Sequence, residues 1–79
     1  MSKEVTCIIK KNLDVLSESD KGYTKEINLV SWNDADAKLD IRSWYPEHEK
    51  CGKGITLSDS EGRKLMEALI KFYAEIDNE

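Results

Sequence analysis

No apolar run in this chain approaches the ~20 residues that a helix needs to cross a bilayer, and the sequence opens without a charged-then-apolar leader pattern. The expected compartment is therefore the cytosol. Cysteine occurs only at Cys7 and Cys51, too few for a disulfide framework in a chain with no export signal. Histidine occurs once, at His48. With Cys51 and Cys7 it makes three scattered ligands, short of the complete tetrahedral set, often in Cys-x-x-Cys pairs, that a structural zinc site uses. No metal and no cofactor is expected. Catalytic motifs are missing as well: there is no Gly-x-Ser-x-Gly elbow, no Gly-rich phosphate loop ahead of a helix and no acidic pair at metal spacing. A metal-dependent nuclease needs converging carboxylates, and here they are spread over turns and the C-terminal segment. The chain reads as non-enzymatic.

What is present describes one small globular domain. Seventy-nine residues with 39% hydrophobic and 35% charged side chains allow a core, but a thin one. A thin core favours self-association, because a second copy supplies burial that one chain lacks. The net charge of −4 argues against a generic polyanion binder, which is basic overall. The distribution weakens that objection. From Ser58 onward three cations (Arg63, Lys64, Lys71) meet six carboxylates, so −3 of the total lies there and −1 in the remainder.

The pattern along the chain is strand, strand, strand, strand, helix. Residues 4–17 alternate (Val5, Cys7, Ile9, Leu13 and Val15 on one parity) with Ile8 and Leu16 as exceptions, which predicts a long strand that is bent or bulged. Cys7 reads as a small buried hydrophobe within it. The cluster Glu18–Gly22 is a turn signal, and residues 23–32 form a second strand with Ile27 and Leu29 on the core parity. Asn33–Asp36 is the next turn and residues 38–45 the third strand, which Pro46 ends because it lacks an amide proton. After a charged loop, 53–57 is a short fourth strand with Ile55 and Leu57 inward. Ser58 and Glu61 form a capping box that opens a helix over 58–76. Its apolar stripe is Leu65, Met66, Leu69, Ile70, Tyr73 and Ile76. Phe72 widens that stripe, either to meet a partner helix or as a half-exposed side chain. The expected class is α+β: a four-stranded antiparallel meander packed on one C-terminal helix.

On the third strand Leu39, Ile41 and Ser43 share one face, and Lys38, Asp40, Arg42 and Trp44 the other. The aliphatics are expected inside and the second set outside. Cations beside a flat aromatic suit a ligand that is anionic and planar-faced, as an unpaired nucleic-acid strand is. Asp40 competes for Arg42, but two residues apart on one face is poor spacing for a bidentate pair. The helix N-terminus is rejected as a phosphate site because Asp59 and Glu61 already occupy its field.

The run Lys38-Leu39-Asp40-Ile41-Arg42-Ser43-Trp44-Tyr45, an acidic loop and then Gly52-Lys53-Gly54-Ile55-Thr56-Leu57 before a capped helix resembles the C-terminal domain of the transcriptional coactivator called positive cofactor 4. With Gly22-Tyr23-Thr24-Lys25-Glu26-Ile27-Asn28-Leu29-Val30-Ser31-Trp32 and His48-Glu49-Lys50, the wider pattern is similar to the bacterial YdbC family. The resemblance spans roughly residues 13 to 76. It implies a homodimer whose helices share the dimer contact and whose curved sheets form grooves for single-stranded DNA with low sequence preference. Bacterial relatives of this kind look like general single-strand binders, which would place the chain with the nucleoid. A basic or serine-rich tail before the fold, present in the eukaryotic pattern, has no counterpart here.

The resemblance implies nucleic-acid contacts at Lys21, Lys25, Trp32, Lys38, Arg42, Trp44 and Lys53. Trp32 and Trp44 would stack on bases, although a one-residue offset puts Tyr45 in the place of Trp44. Strand parity favours Trp44. Arg42 would chelate phosphate or lie on a base, and Lys53, between two glycines, would stand close to a phosphate. RNA is a variant of the same ligand, since stacking grooves tolerate either sugar. The alternative from another class is a protein–protein adaptor that uses the aromatic-plus-arginine face and the helix stripe.

Overall fold

The computed structural model describes residues 6–78. Four strands, β1 (Cys7–Glu18), β2 (Thr24–Trp32), β3 (Lys38–Trp44) and β4 (Cys51–Leu57), pair antiparallel in the order β1-β2-β3-β4, and helix α1 (Asp59–Asp77) follows. The α+β meander expected from the sequence is present. Residues 4 and 5 of the expected first strand lie outside the described residues.

Three register shifts bend the first ladder, between Ile9 and Lys11, Asn12 and Asp14, and Val15 and Ser17. Twelve residues of β1 thereby run along nine of β2. Each extra residue kinks the strand and tightens its right-handed twist, so the sheet curls. The β1–β2 turn is held by Ser19, whose carbonyl accepts from the Gly22 amide and whose hydroxyl accepts from the Tyr23 amide. Gly22 has φ +89°, a conformation that costs other residues a steric penalty. Asn33 and Asp34 turn β2 into β3 with φ of 51° and 66°, as Asn and Asp tolerate in hairpins. Asn33 also accepts the Thr6 amide on its side-chain oxygen at 2.9 Å.

Pro46 does terminate β3, after Trp44. The fourth strand begins at Cys51, two residues before the expected Lys53, because Gly52 and Lys53 together oppose Ser43 in a bulge. Ser58 and Glu61 cap α1 reciprocally: the Glu61 amide donates to the Ser58 hydroxyl at 3.2 Å and the Ser58 amide to the Glu61 carboxylate at 2.8 Å. That carboxylate titrates below its ordinary range because the Ser58 amide and hydroxyl bond its charged form.

The two sheet faces are reversed from expectation. Glu26, Asn28, Val30, Asp40 and Trp44 are enclosed on one face, with Ser31 of the other parity enclosed at the end of β2, while Ile27, Leu29, Leu39 and Ile41 are only half-buried and Ile55 is exposed. The curl wraps the Asp40–Trp44 face into the interior of the single chain, and its polar groups are tolerable there because they bond one another. The helix does not cover the opposite, aliphatic face as expected. It approaches β3 and β4 at its first turns, where a Cβ added to Gly62 would meet Leu39 Cδ2 at 2.7 Å. No residue of α1 is buried, and Met66, Leu69, Ile70, Phe72, Tyr73 and Ile76 all stand exposed.

Candidate nucleic-acid interface

Arg42 organises the enclosed face. Strand alternation places Asp40 on its side of β3, and the register brings Thr56 opposite Asp40 and Gly54 opposite Arg42. Because Gly54 has no side chain, the arginine stem can cross β4: a Cβ there would collide with Arg42 Cβ and the Ile41 carbonyl. The guanidinium folds back on Asp40, Nε donating to Oδ1 at 2.7 Å and Nη2 to Oδ2 at 2.8 Å. This corrects the expectation that their spacing is poor for a bidentate pair. The flexible arginine stem reverses along the strand, and Thr56 fixes the carboxylate by donating to Oδ2 at 3.0 Å. Nη1 donates to the Gly52 carbonyl at 2.9 Å. The hydrogen bonds to Asp40 raise the Arg42 pKa, against the opposing effect of burial.

Trp32, half-buried at the end of β2, receives this cation on its ring, with Arg42 Cζ 4.6 Å from the centroid. Arg42 and Trp32 are thus brought together, the guanidinium already held by Asp40 and Gly52. Trp44 shares their face but is 2% exposed. A side chain so enclosed offers no face to a base, so the stacking role expected of Trp44 is not available to it. Its ring lies 5.4 Å from that of His48. Among the described residues no hydrogen-bond partner reaches the indole N–H of Trp32 or Trp44.

The neighbouring Tyr45 is exposed, at 39%. It packs against Tyr23 with centroids 5.1 Å apart and a 55° tilt, and Lys50 Nζ stands 5.7 Å over its ring. Leaving β3 puts Tyr45 in an extended conformation just before Pro46, and its amide donates to the Lys50 carbonyl at 3.0 Å to close the loop. The sequence reading passed over Tyr23 and Lys50. Their signal was their adjacency to the Gly22 turn and to the loop behind Pro46, segments that entered only as part of the family pattern.

The five lysines singled out from sequence or structure divide by position. Lys38 is on the Arg42 side of β3, paired with Val30. Lys25 alternates with Glu26 and so lies with Ile27 on the aliphatic side, away from Arg42. Lys53 sits in the β4 bulge. Lys21 occupies the β1–β2 turn beside Gly22, whose Cα faces Pro46 of the Tyr45 corner. Lys50 completes that corner. All five are exposed, and among the described residues none makes an ion pair.

A second polar cluster holds the loop of Tyr45 onto the sheet. Glu26 accepts from Thr24 Oγ1 at 2.6 Å and Asn28 Nδ2 at 3.1 Å, and its Oε2 meets His48 Nε2 at 2.8 Å. Burial pushes the Glu26 pKa up, but these hydrogen bonds outweigh it and hold the carboxylate below its ordinary value. Asn12 of β1 joins by donating to Asn28 Oδ1 at 2.7 Å. Among the described residues no group of three or more His, Cys, Asp or Glu side chains is arranged to hold a metal ion.

A protein-family model described as Transcriptional Coactivator p15 (PC4) matches residues 19–68, which run from the first turn through β2, β3 and β4 into the middle of α1. A curated relative from Treponema pallidum (strain Nichols), named "Uncharacterized protein", is 42% identical over 53 residues, covering 67% of this chain. The match takes in 62% of that relative's own length.

Proposed function

The chain belongs to the Transcriptional Coactivator p15 (PC4) family, and from that membership we propose that it binds single-stranded DNA as a homodimer, with little sequence preference. The observation that carries this reading is the corner where Tyr45 and Tyr23 pack together under Lys50, next to Lys21. Exposed rings offer stacking surfaces that any base can use, and unpaired ammonium groups beside them attract the backbone. Lys38 and Lys53 extend the cationic track, and Lys25 joins it from the other face of β2. Arg42 on Trp32 contributes a pre-set cation–aromatic platform on the inner face of the curl, with two guanidinium N–H bonds left for a phosphate. Trp44 serves as core rather than contact.

What one chain leaves open supports the dimer in this proposal. An apolar helix stripe and a half-buried aliphatic sheet face flank a groove of about 530 Å³ lined by Leu29, Leu39, Leu57, Gly62 and Met66 among others. Exposed apolar surface of this extent marks an association site, and a second copy supplies a matching stripe. Single-stranded RNA is accommodated by the same stacking chemistry, and the setting is transcription, replication or repair.

Titrating labelled oligo-dT at increasing salt tests the proposal. Affinity falls with a log–log slope of about −0.7 per phosphate neutralised, and tryptophan and tyrosine emission is quenched. Undetectable or salt-independent binding overturns it. The adaptor reading draws on the same exposed stripe and on the net charge of −4. It requires a protein partner that oligo-dT fails to displace.

A further inference from the structure

Pro46 turns the chain out of β3, and the backbone rejoins the sheet at Cys51, which pairs with Trp44. Between them Glu47 and His48 both take left-handed backbone, with φ of 58° and 57°. Residues that carry side chains are strained there, and the conformation persists only where surrounding contacts hold it. The backbone hydrogen bonds of this loop stay within residues 45–50: the Tyr45 amide donates to the Lys50 carbonyl, the His48 amide to the Tyr45 carbonyl and the Glu49 amide to the Pro46 carbonyl. Among the described residues, one hydrogen bond ties residues 46–50 to another strand, and it comes from a side chain. His48 Nε2 meets Glu26 Oε2 of β2 at 2.8 Å. Glu26, kept ionised by its hydrogen bonds, only accepts, so the ring nitrogen is the donor. The imidazole also lies against the enclosed Trp44, ring centroids 5.4 Å apart.

Glu26 does not depend on this contact. Thr24 Oγ1 donates to the same carboxylate oxygen at 2.6 Å, while Asn28 and Asn12 donate to the other at 3.1 and 3.4 Å. Loss of the imidazole leaves the buried carboxylate satisfied, so the consequence falls on the loop rather than on the sheet. The two ends of that loop carry binding groups: Tyr45 precedes it, Lys50 closes it, and Lys50 Nζ stands 5.7 Å over the Tyr45 ring. We propose that His48 is a positioning residue for single-strand binding, its tether to Glu26 holding Tyr45 and Lys50 in place before the ligand arrives. This rests on the reading of the tyrosine corner as the stacking site. A strand that meets a fixed ring and ammonium group is spared the cost of ordering them. Once released from Glu26, Glu47 and His48 relax to ordinary backbone angles and Lys50 leaves the ring.

Two measurements on the full chain test this. In the free protein, amide heteronuclear NOEs of residues 47–50 fall to mobile-loop values in His48→Ala and stay at the wild-type level in His48→Gln, whose amide nitrogen reaches the same carboxylate. In fluorescence anisotropy, His48→Ala binds labelled oligo-dT about tenfold more weakly, the cost of ordering two side chains, and His48→Gln recovers most of that loss. Both variants melt near the wild-type temperature, because Glu26 keeps its other donors. A His48→Ala loop as rigid as wild type overturns the tether. Wild-type affinity despite a loosened loop overturns the positioning role. A His48→Ala chain that melts far lower or fails to fold makes His48 a structural residue and overturns it likewise. A wild-type chain that binds no oligo-dT overturns the stacking reading and with it the positioning role, while the NOE comparison, made without nucleic acid, decides the tether independently.

Discussion

Asp40 and Arg42, two residues apart on the same face of β3, grip each other through two parallel hydrogen bonds of 2.7 and 2.8 Å. Asp40 is fully enclosed and the Arg42 side chain is 11% exposed. An ion pair taken out of water gives little net stability, but removing one partner strands the other charge. The pair is therefore a constraint on shape: it sets where the guanidinium stands over Trp32 and ties β3 to β4 through Thr56 and Gly52.

Asp40→Ala leaves the Arg42 charge and the Thr56 hydroxyl without their acceptor. The expected loss is about 3–5 kcal/mol, read as a lower urea midpoint at unchanged protein concentration. Asp40→Asn, which keeps the shape and one acceptor, loses less. Equal midpoints for wild type and Asp40→Ala would remove the pair from the account of the fold.

Trp44 and Tyr45 separate stability from binding. Trp44→Ala empties an enclosed site and costs about 3–5 kcal/mol of stability. Tyr45→Ala leaves the melting temperature nearly unchanged and weakens oligo-dT by about 1–3 kcal/mol, measured by fluorescence anisotropy. If Tyr45→Ala binds oligo-dT as wild type does, the stacking corner is misplaced.

Glu26 links stability to pH. Its folded pKa lies below the ordinary value of 4.5, so the unfolded chain binds this proton more readily than the folded one. The stability that follows is whole above 4.5 and is lost as the pH falls from there through the lower folded value. Urea midpoints measured from neutral to acid pH drop in that window, and Glu26→Gln flattens part of the slope. Glu61, also held low at the helix start, keeps the remainder.

Phe72→Glu places a carboxylate at the margin of the exposed helix stripe. In the proposed dimer it would be buried unpaired, and association weakens by tenfold or more, about 1.4 kcal/mol per tenfold. Sedimentation velocity then shows monomer at concentrations where wild type is dimeric, and the concentration dependence of the melting temperature disappears. Wild type sedimenting as a monomer at every concentration would discard the assembly.

Local chemistry was readable in the sequence and closure was not. Ser58 and Glu61 announce the helix start, Pro46 ends β3, and Asn33–Asp34 turn one strand into the next, because each acts on its own backbone. Alternation along β3 separated Leu39 and Ile41 from Asp40, Arg42 and Trp44 correctly, but a two-fold pattern does not say which face is enclosed. That depends on the curl, and the curl depends on where the extra residues of β1 fall against β2. The same limit hid the Asp40–Arg42 clasp, which needs Thr56 and Gly54 in register across β4. It also hid that Trp44 is enclosed and Tyr45 exposed, since sharing a face with Arg42 means enclosure here.

The bulges in β1 carry one more implication. An outermost strand of twelve residues is a standing template for another chain's backbone, the route by which sheet proteins assemble into fibrils. Each irregularity interrupts the even row of amides and carbonyls that such docking requires, and the first of them is Lys10 itself, with Lys11 directly after it. The kinks that shape the cleft thus also guard the rim against runaway polymerisation.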